Sequence, residues 1–202
     1  MGAPSRADLV ALEGAKAEAT VIATLLEANG IRASPPLLDN NATVAHLIER
    51  APESDIIHIA CHAQAPSPNR AKGCLLLAVD AVANDSGELE SARIVNELTI
   101  KLGAHVNLAA CSSAAIGAPQ RFLKYGLLHA FLVAGAGSVL GSLWPGGDDE
   151  ALAFQTAYYR YVLAGKNAAA ALAATQRDAI ARAPNLQHLS GTDWGAYVLY
   201  GV

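Results

Sequence analysis

Two short apolar stretches decide the fold: DIIHIAC at residues 55–61 and HVNLAAC at residues 105–111. Each is a compact, largely uncharged run, which is typical of a strand buried inside a sheet. Helical patterns lie between these stretches and around them. Strands that alternate with helices predict a mainly parallel sheet covered by helices on both faces.

Periodic apolar patterns predict the remaining elements. Three helices are predicted with their caps: residues 11–29 with Gly30 as the C-cap, around 44–48 with Asn40 or Asn41 as the N-cap, and 91–98 with Ser91 as a possible N-cap. Three more helices are predicted at about 120–134, about 148–163 and about 168–183. Further strands are predicted at residues 31–33, 74–79, 138–143 and 196–200, with a loop at 64–72. No linker interrupts this series, so the sequence predicts one domain over residues 1–202.

Composition argues against several kinds of partner. The 202 residues are 52% hydrophobic and 16% charged with a net charge of −4, so nothing electrostatic favours nucleic acid or an anionic membrane. No apolar run approaches the roughly 20 residues of a membrane-spanning helix, and the first residues lack a signal-peptide pattern. We therefore expect a cytoplasmic protein.

Cysteine usage and loop motifs narrow the chemistry. The three cysteines form no CxxC pair, which argues against a disulfide framework and against a zinc site. No strand is followed by a GxGxxG or Walker loop, so a nucleotide- or flavin-binding module on the same kind of sheet is poorly supported. No metal or cofactor is expected.

Reactive side chains directly follow three predicted strands. Cys61-His62 lies at the end of the first, Cys111-Ser112-Ser113 at the end of the second, and residues 144–149 at the end of the third. Ligands of open parallel sheets bind outside the carboxyl ends of the strands, so these groups are expected at one rim. A thiol attacks as thiolate, which a nearby imidazole can generate. The 49 residues between His62 and Cys111 are close to the roughly 50 between the histidine and cysteine of caspases.

Structural interpretations stand beside these catalytic ones. Cysteines are common core residues, which is the favoured interpretation for Cys61 and Cys74, and position alone leaves Cys111 open between packing and catalysis. His58 lies within its strand and is interpreted as a structural histidine. Ser113 is a weaker candidate nucleophile because no GxSxG motif surrounds it.

The order of motifs along nearly the whole chain resembles the CHAT domains, which are bacterial caspase-like peptidases of the separase kind. The stretches that carry the resemblance are IIHIACHA at 56–63, VNLAACSSA at 106–114, FLVAGA at 131–136, VLGSLWP at 139–145 and DWGAYVLYG at 193–201. The resemblance implies a caspase-like three-layer α/β/α sandwich with a mainly parallel central sheet. It also implies a cysteine endopeptidase acting on a protein substrate.

The resemblance also implies roles for particular residues. His62 would be the general base and Cys111 the nucleophile, with the backbone N–H groups of Ala63, Cys111 and Ser112 binding the oxyanion. A carboxylate after the Leu-Trp strand would receive a basic P1 side chain, Arg or Lys. Asp148 aligns best with that position and Asp149 is the close second; as an alternative or additional role, either can cap the helix that begins there.

Two departures from the family pattern support an alternative function. Ala63 stands where the family usually has glycine, and its methyl group would crowd the oxyanion site if this position required positive φ. The family's WPVDD is WPGGD at residues 144–148. The alternative is a weak or inactive caspase-like module used for partner binding and signalling.

The family's first strand is short or absent in this sequence. We therefore expect the chain to be the C-terminal part of a longer protein. An upstream helical-repeat sensor domain or a regulatory partner is expected as well, because family members commonly carry such repeats.

Overall fold

The computed structural model describes residues 1–4, 6–7, 9, 12–64, 73–110, 113, 126–144, 147–182 and 194–202. The strands are β1 (Gly2–Pro4), β2 (Leu38–Asp39), β3 (Ile56–Ala60), β4 (His62–Gln64), β5 (Cys74–Leu76), β6 (Glu88–Glu90), β7 (His105–Ala109), β8 (Ser138–Ser142) and β9 (Tyr197–Gly201). The helices are α1 (Glu13–Ala28), α2 (Val44–Arg50), α3 (Ser91–Glu97), α4 (Leu127–Val133), α5 (Asp148–Leu163) and α6 (Ala168–Arg182), and a single 3-10 turn spans Ala51–Glu53.

Six strands form the central sheet in the order β2-β1-β3-β7-β8-β9. All neighbouring pairs are parallel except β8 and β9, which are antiparallel. In the pair β3–β7 each residue faces the one 49 positions later, from Ile56 with His105 to Ala60 with Ala109. The mainly parallel sheet predicted from the alternating strands and helices is confirmed.

Helices cover both faces of this sheet. On one face, side chains of α2, α3 and α4 pack with Ile59, Val106 and Leu108 in one buried apolar cluster. On the other face, side chains of α1, α5 and α6 pack with Leu140 of β8 in a second cluster. The three-layer α/β/α sandwich is therefore confirmed.

A second sheet, which the sequence patterns did not predict, holds the chain just beyond β3. It is antiparallel, with the order β4-β5-β6. Its strands are three residues long, which is too short for an alternating pattern to emerge from the sequence. Gln64, predicted to begin a loop, is instead the last residue of β4, and residues 65–72 of that loop lie outside the described part.

The strand predicted at residues 31–33 is wrong, and hydrogen bonds at the end of α1 explain why. The Ile31 N–H donates to the Leu26 carbonyl and the Gly30 N–H donates to the Glu27 carbonyl, while Gly30 has φ +78°. These bonds form a Schellman motif, which uses glycine in the left-handed conformation after the helix. Ile31 therefore completes the helix end, and Gly30 lies just past the C-cap residue, Asn29.

Two predicted helix caps are also wrong. The side chain of Thr43, rather than Asn40 or Asn41, accepts a hydrogen bond from the His46 N–H and caps α2. At α3 the N-cap position is Glu90, which makes no side-chain capping bond, so Ser91 is the first helical residue.

Three further observations concern the first strand, helix α4 and membrane-spanning helices. The short first strand is present as β1, which pairs in parallel with both β2 and β3. Of the helix predicted at about 120–134, residues 120–125 lie outside the described part, and the rest forms α4. No helix within the described ranges combines the length and the apolar character needed to cross a membrane.

Candidate active site

His62 lies where the chain passes from the central sheet to the second sheet. It comes two residues after the end of β3 and begins β4, where it pairs with Leu76 of β5. The residue is partly buried. Since β4 is held by hydrogen bonds to β5, the imidazole is attached to a backbone that two sheets fix in place.

Ala63 follows in β4 and pairs with Leu75 of β5. Its φ is not in the left-handed region, unlike those of Ala3, Asp39 and Asn84. An extended strand accepts any L-residue, so the position does not require glycine. The crowding considered for an alanine in place of the family's glycine depended on a positive φ, and that condition is not met.

Cys111 and Ser112 lie outside the described residues, but the strand before them is well defined. The β3–β7 pairing ends with Ala60 opposite Ala109. His62 and Cys111 each come two residues after this last pair in the sequence. The 49-residue spacing between them is therefore the same as the register offset of the two strands, and both follow neighbouring strands at the carboxyl end of the sheet.

Two buried serines hold the residues on either side of Cys111-Ser112. The Ser142 hydroxyl donates to the Ala110 carbonyl at 2.9 Å, and the Ser113 N–H donates to the same carbonyl at 3.1 Å. The Ser113 hydroxyl accepts from the Ser142 N–H at 3.0 Å and donates to the Leu108 carbonyl at 3.3 Å. We call these four hydrogen bonds the serine clamp.

The serine clamp gives Ser113 a structural role. Its side chain is 1% exposed, and its hydroxyl already donates one hydrogen bond and accepts another, so it is not placed to act as a nucleophile. Sequence reasoning missed the function of Ser113 and Ser142 together. The only signal in the sequence was the presence of a polar residue at the end of each apolar run. It does not show that the two serines are paired, because they are 29 residues apart.

The third group of candidate residues lies at the start of α5. Helix α5 follows β8, the neighbour of β7, so its first turn belongs to the same end of the sheet as His62. Gly147 occupies the N-cap position without a side-chain capping bond, so the capping role considered for Asp148 or Asp149 is wrong: both lie within the helix. Asp149 is exposed, and the side chain of Asp148 lies outside the described part. Carboxylates are stabilised at this end of a helix by its dipole.

Beneath the helix pair α1 and α5, a buried polar cluster lines the sheet. His58 Nε2 lies 2.9 Å from Glu18 Oε1, and His58 Nδ1 lies 3.3 Å from the Tyr159 hydroxyl. Asn107, which faces His58 across the β3–β7 pair, donates to Gln155 at 2.7 Å. The interpretation of His58 as a structural histidine agrees with these contacts.

His105, at the start of β7, belongs to the same face. Its ring nitrogens lie 2.9 Å from the Ser138 hydroxyl and 3.0 Å from the Tyr158 hydroxyl. Burial, with a smaller contribution from nearby His58, lowers the pKa of His105 to about 4, so the imidazole is neutral at pH 7. Burial also raises the pKa values of Tyr158 and Tyr159, so these hydroxyls stay protonated.

The other cysteines are core residues in the described part of the chain: Cys61 is 3% exposed and Cys74 is fully buried. Within the described ranges no group of three or more histidine, cysteine or acidic side chains is placed to hold a metal ion. The described groups that remain for chemistry at the rim are His62 and the first turn of α5.

The three-layer sandwich and the strand order define a protein of the caspase-like α/β class. The CHAT domain family model matches residues 1–202. The chain therefore belongs to the CHAT domain family. No curated protein matches it.

Solved structures similar to this chain include a cysteine proteinase and separase in complex with securin. The Arg-specific cysteine proteinase gingipain R matches with a TM-score of 0.62 and 11% identity, over 93% of this chain and 41% of that one. Two structures of the Saccharomyces cerevisiae separase–securin complex match with TM-scores of 0.53 and 0.56, at 18% and 17% identity, over 92% and 93% of this chain. The chain spans 41% of the gingipain chain and 11% of each separase-complex chain. Identities this low establish the shared fold alone.

Proposed function

We propose that this chain is a cysteine endopeptidase that cleaves a protein substrate after Arg or Lys, with His62 as general base and Cys111 as nucleophile. The register of β3 and β7 carries the proposal, since it pairs residues 49 positions apart and the two candidates are 49 positions apart. Covalent catalysis first requires that the base reach the nucleophile, and the position of both candidates after neighbouring strands supports this.

The proposed reaction follows from these roles. His62 takes the proton of the Cys111 thiol, and the thiolate attacks the scissile carbonyl carbon. The oxyanion accepts hydrogen bonds from the backbone N–H groups of Ala63, Cys111 and Ser112. The protonated His62 gives its proton to the leaving amine as the C–N bond breaks. Water, deprotonated by His62, then hydrolyses the thioester and regenerates the thiol.

We assign P1 recognition to Asp148, with Asp149 as the second candidate. Position 148 is the first residue of α5, and the helix follows the strand next to β7. A carboxylate facing a guanidinium forms a strong, charge-assisted pair. The Arg specificity stated for gingipain R, a protein of the same fold, supports a basic P1 residue here.

A protein partner is also part of the proposal. The solved separase structures similar to this chain are complexes with securin. We propose that a regulatory protein or an upstream helical-repeat sensor domain controls access to the rim at His62.

Cleavage of matched peptides tests the activity. A fluorogenic peptide series that differs only at P1 (Arg, Lys, Gln or Asp) is expected to be cut after Arg and Lys. Cys111→Ala and His62→Ala should abolish cleavage, whereas Cys74→Ala, which alters a buried cysteine of β5, should retain it. Asp148→Asn should remove the preference for basic P1 more strongly than Asp149→Asn. Equal turnover by wild type and Cys111→Ala would rule out Cys111 as the nucleophile. No turnover by either protein would favour the inactive partner-binding module instead.

A further inference from the structure

The serine clamp involves residues that flank the proposed nucleophile in the sequence. It consists of residues on both sides of Cys111-Ser112, namely Ala110 before it and Ser113 after it, together with Ser142 of the adjacent strand β8. The Ala110 carbonyl accepts from both serines, at 2.9 Å and 3.1 Å. Hydrogen bonds thus join Ala110 to Ser113 and join both residues to Ser142 of β8.

The clamp is buried, which increases its influence on the local backbone. Ser113 is 1% exposed, Ser142 is 7% exposed and Ala110 is 5% exposed. A buried polar group that loses its partner pays its full desolvation cost. The four bonds therefore strongly favour one placement of Ala110 and Ser113 over its alternatives.

The neighbouring strand is built to admit the clamp. A Cβ atom at Gly141 would lie 2.8 Å from the Ser113 Oγ and 2.8 Å from Leu128 Cδ1. Only glycine leaves room for the Ser113 hydroxyl to reach the Ser142 N–H. Ser113 and the adjacent pair Gly141-Ser142, 28 and 29 positions later in the sequence, are thus fitted to each other.

We propose that Ser113 and Ser142 are positioning residues of the active site, which fix the backbone at Ala110 and Ser113 and thereby support the reactivity of Cys111 between them. This inference rests on the proposed function of Cys111. Neither serine touches substrate in the proposed reaction. Small displacements of reacting groups reduce rate strongly, on the order of 100-fold for about 1 Å.

The proposal predicts a loss that is confined to the chemical step. In Ser142→Ala, which removes one clamp bond, and in Ser113→Ala, which removes two side-chain bonds, kcat should fall about tenfold or more. KM for an Arg peptide should change less than about twofold, because neither serine is one of the proposed P1 carboxylates. The double variant should lose less than the product of the two single losses, since both serines act through one network.

Thr175→Val is the matched control. Thr175 on α6 is 2% exposed, and its hydroxyl donates to the Ala171 carbonyl at 2.9 Å, the same kind of bond and the same length as that from Ser142 to Ala110. The control removes an equivalent buried bond outside the rim. It should keep kcat within about twofold of wild type at a comparable loss of stability.

Steady-state kinetics on Arg peptides, with urea unfolding to confirm that each variant is folded, decide the question. Unchanged kcat in folded Ser142→Ala or Ser113→Ala, or a loss no larger than that of Thr175→Val, would overturn the positioning role. If Ser113→Ala does not fold, Ser142→Ala, the milder change, carries the test. If wild type itself has no turnover, the proposed function is contradicted and this inference fails with it. That outcome is distinguishable from failure of the positioning role alone, in which wild type is active and the serine variants are equally active.

Discussion

Both faces of the central sheet bury an apolar cluster, but only one of them also buries polar side chains of the strands β3 and β7. Successive strand residues point to opposite faces, so Ile57 and Ile59 of β3 face α2, α3 and α4, while His58 between them contacts α1 and α5. On β7, Leu108 lies in the apolar cluster and Asn107 in the polar one. We call these the apolar face and the polar face.

The difference shows how stability and geometry are divided in this fold. Burial of the apolar face is a non-directional source of stability. Buried polar groups contribute little net stability, because desolvation offsets most of the gain, but they tolerate few alternative arrangements. The polar face therefore specifies where α1 and α5 sit against the strands that lead to His62 and Cys111.

The largest expected effect tests the apolar face. Leu108→Ala should lower the free energy of unfolding by about 2–5 kcal/mol, because it removes a fully packed side chain and leaves a cavity. Leu102→Ala is the control, since Leu102 is 92% exposed and its loss should cost less than about 0.5 kcal/mol. Urea unfolding measures both. Similar losses in the two variants would contradict the assignment of stability to the apolar face.

The next effect is a pH dependence of the polar face. Because the pKa of His105 is about 4 in the folded protein and about 6.5 when unfolded, the unfolded state binds the proton first as pH falls. Stability from this group is complete above pH 6.5 and is lost progressively between about pH 6.5 and 4, by roughly 3 kcal/mol. Urea midpoints of wild type and His105→Gln across this range measure it. Parallel pH profiles of the two proteins would show that His105 does not carry the effect.

A smaller effect on the free energy of unfolding is expected from the buried pair Asn107 and Gln155, and it tests whether this polar pair contributes net stability. Gln155→Leu should destabilise by about 1–3 kcal/mol, because Asn107 is left buried without the partner it now has at 2.7 Å. Replacing both residues by leucine should recover much of that loss. Thermal and urea unfolding of the single and double variants complete the cycle. A double variant that is as unstable as the sum of the single variants would argue that the polar pair contributes net stability.

The smallest effect concerns a helix end beside the apolar face. Thr43→Ala removes the capping bond to the His46 N–H and should cost about 1 kcal/mol. Asn41→Ala changes the neighbouring cap candidate suggested by the sequence and should cost less. The difference in urea midpoint between the two variants measures the cap. Asn41→Ala as the costlier change would place the cap where the sequence first suggested.

The centre of the main sheet was predictable because its strands carry strong local signals. The apolar runs that become β3, β7 and β8 are recognisable from the sequence of each strand alone. The strands β1, β2, β4 and β6 were missed because two or three residues give no periodicity. Helix α2 was given the wrong cap because Asn40, Asn41 and Thr43 are all suitable cap residues.

The candidate site was predictable only in part. His62 and Cys111 followed from their places at strand ends and from the ordered family motifs. The serine clamp and the Glu18–His58 contact join residues 29 and 40 positions apart. Glu18 is a charged residue inside a predicted helix, and no local pattern marks a buried carboxylate. Such contacts are set by tertiary packing, which a single sequence does not display.

Covalent labelling by an arginyl acyloxymethylketone tests the central claim most directly, because it requires the nucleophile, its activation and the P1 pocket together. Intact mass spectrometry followed by peptide mapping should show one label on wild type, at Cys111. Cys111→Ala should remain unlabelled, His62→Ala should react far more slowly, and Cys74→Ala should react like wild type. Labelling of Cys111→Ala to the wild-type extent, or no labelling of wild type, would contradict the account.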